Sequence, residues 1–192
     1  MIIKLEHKFV KRCHDLKELL EDCSKLSTFC NRLEKQAHRF PDRYNPDKYK
    51  GDGFELFVEM LIKSNECNGQ VGIAGYHPIQ KNDNGVDGLG ISLDGQPAAV
   101  QVKYRGDANS LLTAEKDHLN SFVTEAGVYG LNLRDHDKRH FLIVTTAKGL
   151  HSYTDADKFH GKVRCLGHDE LRQLVDNNTH FWSSFRESLN LS

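Results

Sequence analysis

Phe9, Cys13, Leu16, Leu20, Cys23, Leu26, Cys30, Leu33 and Ala37 recur at spacings of three and four residues, the period of one buried helix face. Residues 5–38 therefore read as one long amphipathic helix, or as a helical hairpin broken near Ser24 to Thr28. The apolar stripe has to be covered, either by the rest of the chain or by a second copy. Pro41 and Pro46 mark Phe40 to Lys50 as a linker. The next helix is expected to be capped by Asp52 and to end near Glu66, and a first strand to run from Val71 to Ile79 with Pro78 close to its end. A hairpin follows, with its turn near Leu93-Asp94-Gly95-Gln96. A helix from Thr113 buries Leu112, Leu119, Phe122 and Val123. Phe141 to Thr146 is a continuous run that predicts a strand covered on both faces. Lys162 to Leu166 reads as a shorter strand, His168 to Asp176 as a helix, and Phe181, Trp182 and Phe185 lie on a last helix. This order predicts an α/β domain with a central mixed sheet flanked by helices. Residues 1–49 form an N-terminal helical extension and linker, and residues 50–192 the main domain.

The hairpin departs from a purely structural pattern. Asp87 opens the strand Gly88-Leu89-Gly90-Ile91, and Gln101 and Lys103 interrupt Ala98-Ala99-Val100-Gln101-Val102-Lys103-Tyr104. Residues two apart on a strand share a face, so Gln101 and Lys103 point one way while Val100, Val102 and Tyr104 point the other. A lysine inside an apolar strand is costly to bury without a partner, and Asp87 is the obvious one. A carboxylate, an amide oxygen and an ammonium meeting at one spot suit a hard divalent cation beside a phosphodiester. The turn decides whether they meet. A two-residue Asp94-Gly95 loop sets Asp87 opposite Val102, whereas an odd loop or a bulge sets it across from Gln101 or Lys103. A three-residue turn or a bulge is therefore expected.

The pattern resembles the PD-(D/E)XK nuclease superfamily, in the Mrr and Holliday-junction-resolvase-like branch whose third motif reads Gln-x-Lys. Asp87 matches the acidic residue of the second motif, Gln101-Val102-Lys103 the third, and Glu55 the glutamate of the first helix. The Pro-Asp dipeptide of the family is missing, since Val86 precedes Asp87. The resemblance runs from about Lys50 to about Val175. It implies a restriction-endonuclease-like αβββαβ core and a metal-dependent endodeoxyribonuclease that nicks, restricts or cuts branched DNA, in phage or mobile-element biology or in DNA recombination and repair. It implies Mg²⁺, with Mn²⁺ as a substitute. Asp87, the Gln101 side-chain oxygen and the Val102 carbonyl would bind the ion, and Glu55 a water or second ion. Lys103 would orient the attacking water or offset transition-state charge. The alternative is a non-catalytic nucleic-acid-binding or partner-binding protein that retains the fold.

Each residue also has a plainer reading. Asp83 and Asp94 are turn residues. Glu59 lies one helical turn beyond Glu55 and competes for its role. Gln101 could decorate a solvent face and Lys103 reach a sheet edge. The 192-residue chain, with 38% hydrophobic and 28% charged residues, is ample for one globular core. The net charge of −1 means that any DNA-binding surface is local; Arg43, Lys48, Lys50 and Arg105 are the candidates nearest the site, with Arg39, Arg134, Lys138 and Arg139 beyond them. No base-reading module is visible. Five cysteines form no Cys-x-x-Cys pair, which favours a reducing, cytoplasmic setting. Cys165 and His168 are at most half a zinc site, and Asp135-His136-Asp137 with His140 lacks the flanking pattern of an HNH site. No apolar run approaches membrane length, and the start lacks a signal peptide's apolar core. A homodimer paired through the N-terminal helices would present two sites to duplex or branched DNA.

Overall fold

The N-terminal stripe folds as the hairpin. A 3₁₀ turn over Lys8–Arg12 leads into α1 (Cys13–Leu20), and after a reversal the chain returns as α2 (Leu26–Arg39). The reversal is held by Arg32, whose guanidinium donates to the Leu19 carbonyl at 3.2 Å and to that of Glu21. These carbonyls at the end of α1 have no partner inside that helix. The structure is a computed structural model, and it describes residues 2–39, 45–64, 67–79 and 85–189.

The next helix, α3 (Pro46–Lys63), starts earlier than expected. Asn45 is its N-cap, with a side-chain oxygen that accepts from the N–H groups of Asp47 at 2.9 Å and Lys48 at 3.1 Å. Pro46 occupies the first turn, where its missing N–H costs nothing. Asp52 is thus not a cap; it lies buried in the second turn, ion-paired to Lys8 at 3.4 Å and Lys48 at 3.6 Å. The boundary drawn between residues 49 and 50 falls inside α3, and residues 40–44 of the expected linker lie outside the described residues.

There follow α4 (Asn68–Val71), β1 (Ile73–Pro78), β2 (Gly88–Ser92), β3 (Pro97–Lys103) and β4 (Leu111–Leu112). Next come α5 (Leu119–Ala126), β5 (Phe141–Thr145), β6 (Gly149–Leu150), β7 (Arg164–Leu166), α6 (His168–Val175) and α7 (Thr179–Leu189). The five-stranded mixed sheet has the order β1-β2-β3-β5-β7, antiparallel from β1 to β3 and parallel from β3 to β7. A parallel pair, β4 and β6, stands apart. The helix expected from Thr113 begins only at Leu119. The Asp117 carboxylate accepts the Thr113 N–H at 2.6 Å and holds residues 113–117 as a turn, in which a local side-chain bond displaces the helix.

Helices cover both faces of the sheet. Ala98, Val100, Val102, Leu142 and Val144 belong to one core with α1, α2, α3 and α7, in which Leu16, Leu19, Phe29, Phe57 and Trp182 are buried. Ala99, Phe141 and Ile143 belong to a second core with Leu119 and Phe122 of α5. The described residues of the N-terminal apolar stripe are therefore covered within the chain. Among the described residues no helix is long and apolar enough to cross a membrane.

Candidate active site

The β2–β3 connection has the predicted odd parity. Ile91 pairs with Pro97, the Ser92 N–H donates to the Gln96 carbonyl at 2.9 Å, and Leu93, Asp94 and Gly95 form a three-residue loop. Gly95 closes it with φ +82°, the left-handed conformation that such loops need. A second irregularity lies at the other end. Val100 pairs with Gly88, yet its carbonyl also accepts the Asp87 N–H at 2.9 Å. Two residues of one strand thus face one of the other, which is a β-bulge. Asp87 Oδ2 then accepts the Val102 N–H at 2.5 Å. That N–H points along the sheet plane toward β2, so the carboxylate fills the position where the next β2 carbonyl would have been. The Val102 carbonyl points the same way, because N–H and C=O of one strand residue share a direction.

Asp87, Val102 and Lys103 bound a cleft of about 830 Å³ at this end of the sheet, together with Glu55 of α3 and Ser121 and Glu125 of α5. Glu55 is 15% exposed. Among the described residues the Lys103 ammonium makes no hydrogen bond or ion pair, and it is the only lysine or arginine of the cleft without a carboxylate partner. Lys50 is paired with Asp47 at 2.9 Å and Glu34 at 3.4 Å, and Arg105 with Asp117. Lys48, expected nearby as a DNA contact, is paired with Asp52, and Arg43 lies outside the described residues.

Gln101 is not brought to the cleft. Its register partner is Ile143, its neighbour two residues back is Ala99, and both belong to the α5-side core. It is fully buried, and among the described residues neither Oε1 nor Nε2 has a hydrogen-bond partner. Beside Gly88, the buried Tyr76 hydroxyl is likewise without a hydrogen-bond partner among the described residues. Burial pushes its pKa well above the ordinary phenol range, and the negative charges of Asp87, Glu55 and Glu59 push the same way. The Tyr76 ring lies where a Cβ on Gly88 would fall, which is why glycine follows Asp87.

Glu55 and Glu59 differ in position: Glu55 lines the cleft and Glu59 does not. Glu59 is fully buried and accepts the N–H groups of Glu6 at 2.7 Å and His7 at 2.9 Å, and the Lys63 ammonium at 2.6 Å. The segment before the 3₁₀ turn thus runs antiparallel along the charged stripe of α3. Lys63 donates to the Lys4 carbonyl at 3.2 Å, His7 Nε2 meets Glu55 Oε2 at 2.8 Å, and Lys8 meets Asp52. Sequence reading missed this strap. Its trace was the series Lys48, Asp52, Glu55, Glu59 and Lys63, spaced by three and four on an otherwise apolar helix.

His7, Asp52 and Glu55 each offer one ligand atom within 4.8 Å of one another. They do not suit a metal. The Phe9 N–H donates to His7 Nδ1 at 3.2 Å, so Nδ1 is the lone-pair nitrogen and Nε2 carries the proton, which it donates to Glu55. Asp52 is already flanked by two lysines.

No protein-family model matches the sequence, and comparison with curated proteins and with solved structures finds no match.

Proposed function

We propose that the chain is a metal-dependent DNA endonuclease of the PD-(D/E)XK type, with Asp87, Lys103 and Glu55 as its catalytic set. One observation carries the reading: three residues singled out by motif, from three separate elements, bound a single cleft. Apart from the short α4 and β4, the order α3-β1-β2-β3-α5-β5, with antiparallel strands followed by a parallel one, supports it by agreeing with the αβββαβ core the resemblance implies.

The donors at the cleft are hard oxygens: the Asp87 and Glu55 carboxylates and the Val102 carbonyl. Mg²⁺ prefers such ligands and retains several waters, so these residues fit it without Gln101. When bound, the ion would supply a more acidic water and offset charge on the scissile phosphate. Lys103 carries a positive charge at the cleft that has no partner among the described residues, suited to stabilising the extra negative charge of the transition state. Asp87 is held by the Val102 N–H before substrate arrives, so little reorganisation is needed.

The test is a panel of supercoiled, linear duplex, branched and single-stranded DNA, and RNA, with Mg²⁺ or Mn²⁺. Wild type is expected to cut DNA, and Asp87→Ala and Lys103→Ala to lose cutting while keeping the wild-type melting temperature. A wild type that binds but cuts nothing overturns the nuclease reading and leaves a binding protein.

A further inference from the structure

We propose that His7 is a positioning residue for Glu55, so that the N-terminal strap is a working part of the active site. The inference rests on the nuclease reading for its consequence in catalysis, but its geometry stands independently. His7 is nearly fully buried, and every polar atom it has is committed. Its backbone N–H is fixed by Glu59 at 2.9 Å, and its Nδ1 by the Phe9 N–H at 3.2 Å. What remains is a single Nε2–H, and it is aimed at Glu55 Oε2 at 2.8 Å.

The consequence follows from the freedom of a glutamate. Glu55 has three side-chain torsions and is the least buried of the three acids on its stripe. Without a partner its carboxylate would sample several rotamers at the rim of the cleft. The imidazole is held from two sides and selects one of them. It thereby commits Oε2 to the strap and leaves Oε1, on a residue that lines the cleft, with no hydrogen bond among the described residues. Removing such a supporting hydrogen bond to a ligand costs about 10–100-fold in metal affinity or activity.

The His7→Asn and His7→Gln variants separate this role from packing. The asparagine oxygen falls where Nδ1 was and keeps the turn bond from the Phe9 N–H, but its amide stops short of Glu55. The glutamine amide extends to the position of Nε2 and retains a donor toward Glu55. Two quantities are measured on the full chain: Mn²⁺ affinity without DNA, by calorimetry, and the Mn²⁺ concentration for half-maximal plasmid cleavage. His7→Asn is expected to weaken both by about 10–100-fold with an unchanged far-UV spectrum, and His7→Gln to recover most of the loss. Should His7→Asn fail to fold, His7→Phe, which fills the imidazole's space without a donor, takes its place in the comparison. Wild-type Mn²⁺ affinity and cleavage in His7→Asn overturn the proposal while the nuclease reading stands. If wild type binds Mn²⁺ and His7→Asn weakens it but nothing cuts DNA, the positioning role holds and the nuclease reading falls. A wild type with no measurable Mn²⁺ binding overturns the role assigned here.

Discussion

Glu59 holds the strap, and neutralising it gives the sharpest measure of how firmly the N-terminal segment belongs to the fold. In Glu59→Gln the side chain keeps its volume, so no cavity forms. If the amide oxygen takes the place of Oε1, it still faces the Glu6 N–H and Lys63, but the NH₂ then confronts the His7 N–H, a donor against a donor. One buried donor is left unsatisfied at about 1–3 kcal/mol, and the two remaining hydrogen bonds lose their charge assistance. Lys63 keeps Glu6 Oε1 and the Lys4 carbonyl, both at 3.2 Å, so the cation itself is not stranded. The sum is about 3 kcal/mol, near the lower end for breaking a buried ion pair. For a chain of this length that corresponds to a fall in Tm of about 6–12 °C. Urea unfolding at pH 7, followed by far-UV circular dichroism, reads the loss as a lower midpoint at constant slope. Hydrogen exchange over residues 6–10 should accelerate in parallel. A loss under about 1 kcal/mol, the range of ordinary surface changes, with protection of residues 6–10 unchanged, would refute the strap as a structural clamp.

Burial pushes the thiol pKa of Cys30, and separately that of Cys165, up to about 12. At pH 8 only about one thiol in 10⁴ is then ionised, so iodoacetamide should leave both unmodified by mass spectrometry unless urea is added; labelling at the rate of a free thiol contradicts this. Gln101 is buried with both amide atoms unpartnered among the described residues, so Gln101→Met should stabilise the metal-free protein by about 1–3 kcal/mol, the cost of a buried amide without hydrogen bonds. Urea unfolding in EDTA checks it, and equal or lower stability would mean that water or another group already satisfies the amide.

The local pattern made much of this legible. The apolar run at Phe141 announces a strand covered on both faces, and the parity of Asp87, Gln101 and Lys103 requires an odd turn or a bulge. The strap was not legible, because it is built from backbone N–H groups of Glu6 and His7, which leave no signature in sequence. By spacing alone, Lys48, Asp52, Glu55, Glu59 and Lys63 of α3 form one charged stripe with no visible partner. Only the partner segment, some fifty residues earlier, turns it into an interior one.

The same limit explains where the site departs from expectation. Parity arguments assume that a side chain projects to one face of the sheet or the other, and on that assumption Asp87 had to share the face of Gln101. The bulge at Gly88 removes the assumption. By shifting the register at the last pair, it turns the Asp87 carboxylate into the plane of the sheet, onto the Val102 N–H, where the ladder has run out. From there the carboxylate bounds the same cleft as Glu55 of α3 and Lys103 at the end of β3, without belonging to either packed face. Gln101 remains one step inside, where both faces are still covered. The strand end, not the strand face, is what gathers the residues. A spacing rule can place residues along a strand, but it cannot say where the pairing of two strands ends; here β2 leaves β3 at the bulge beside Gly88, where the Tyr76 ring lies, while β3 still pairs with β5 as far as Lys103.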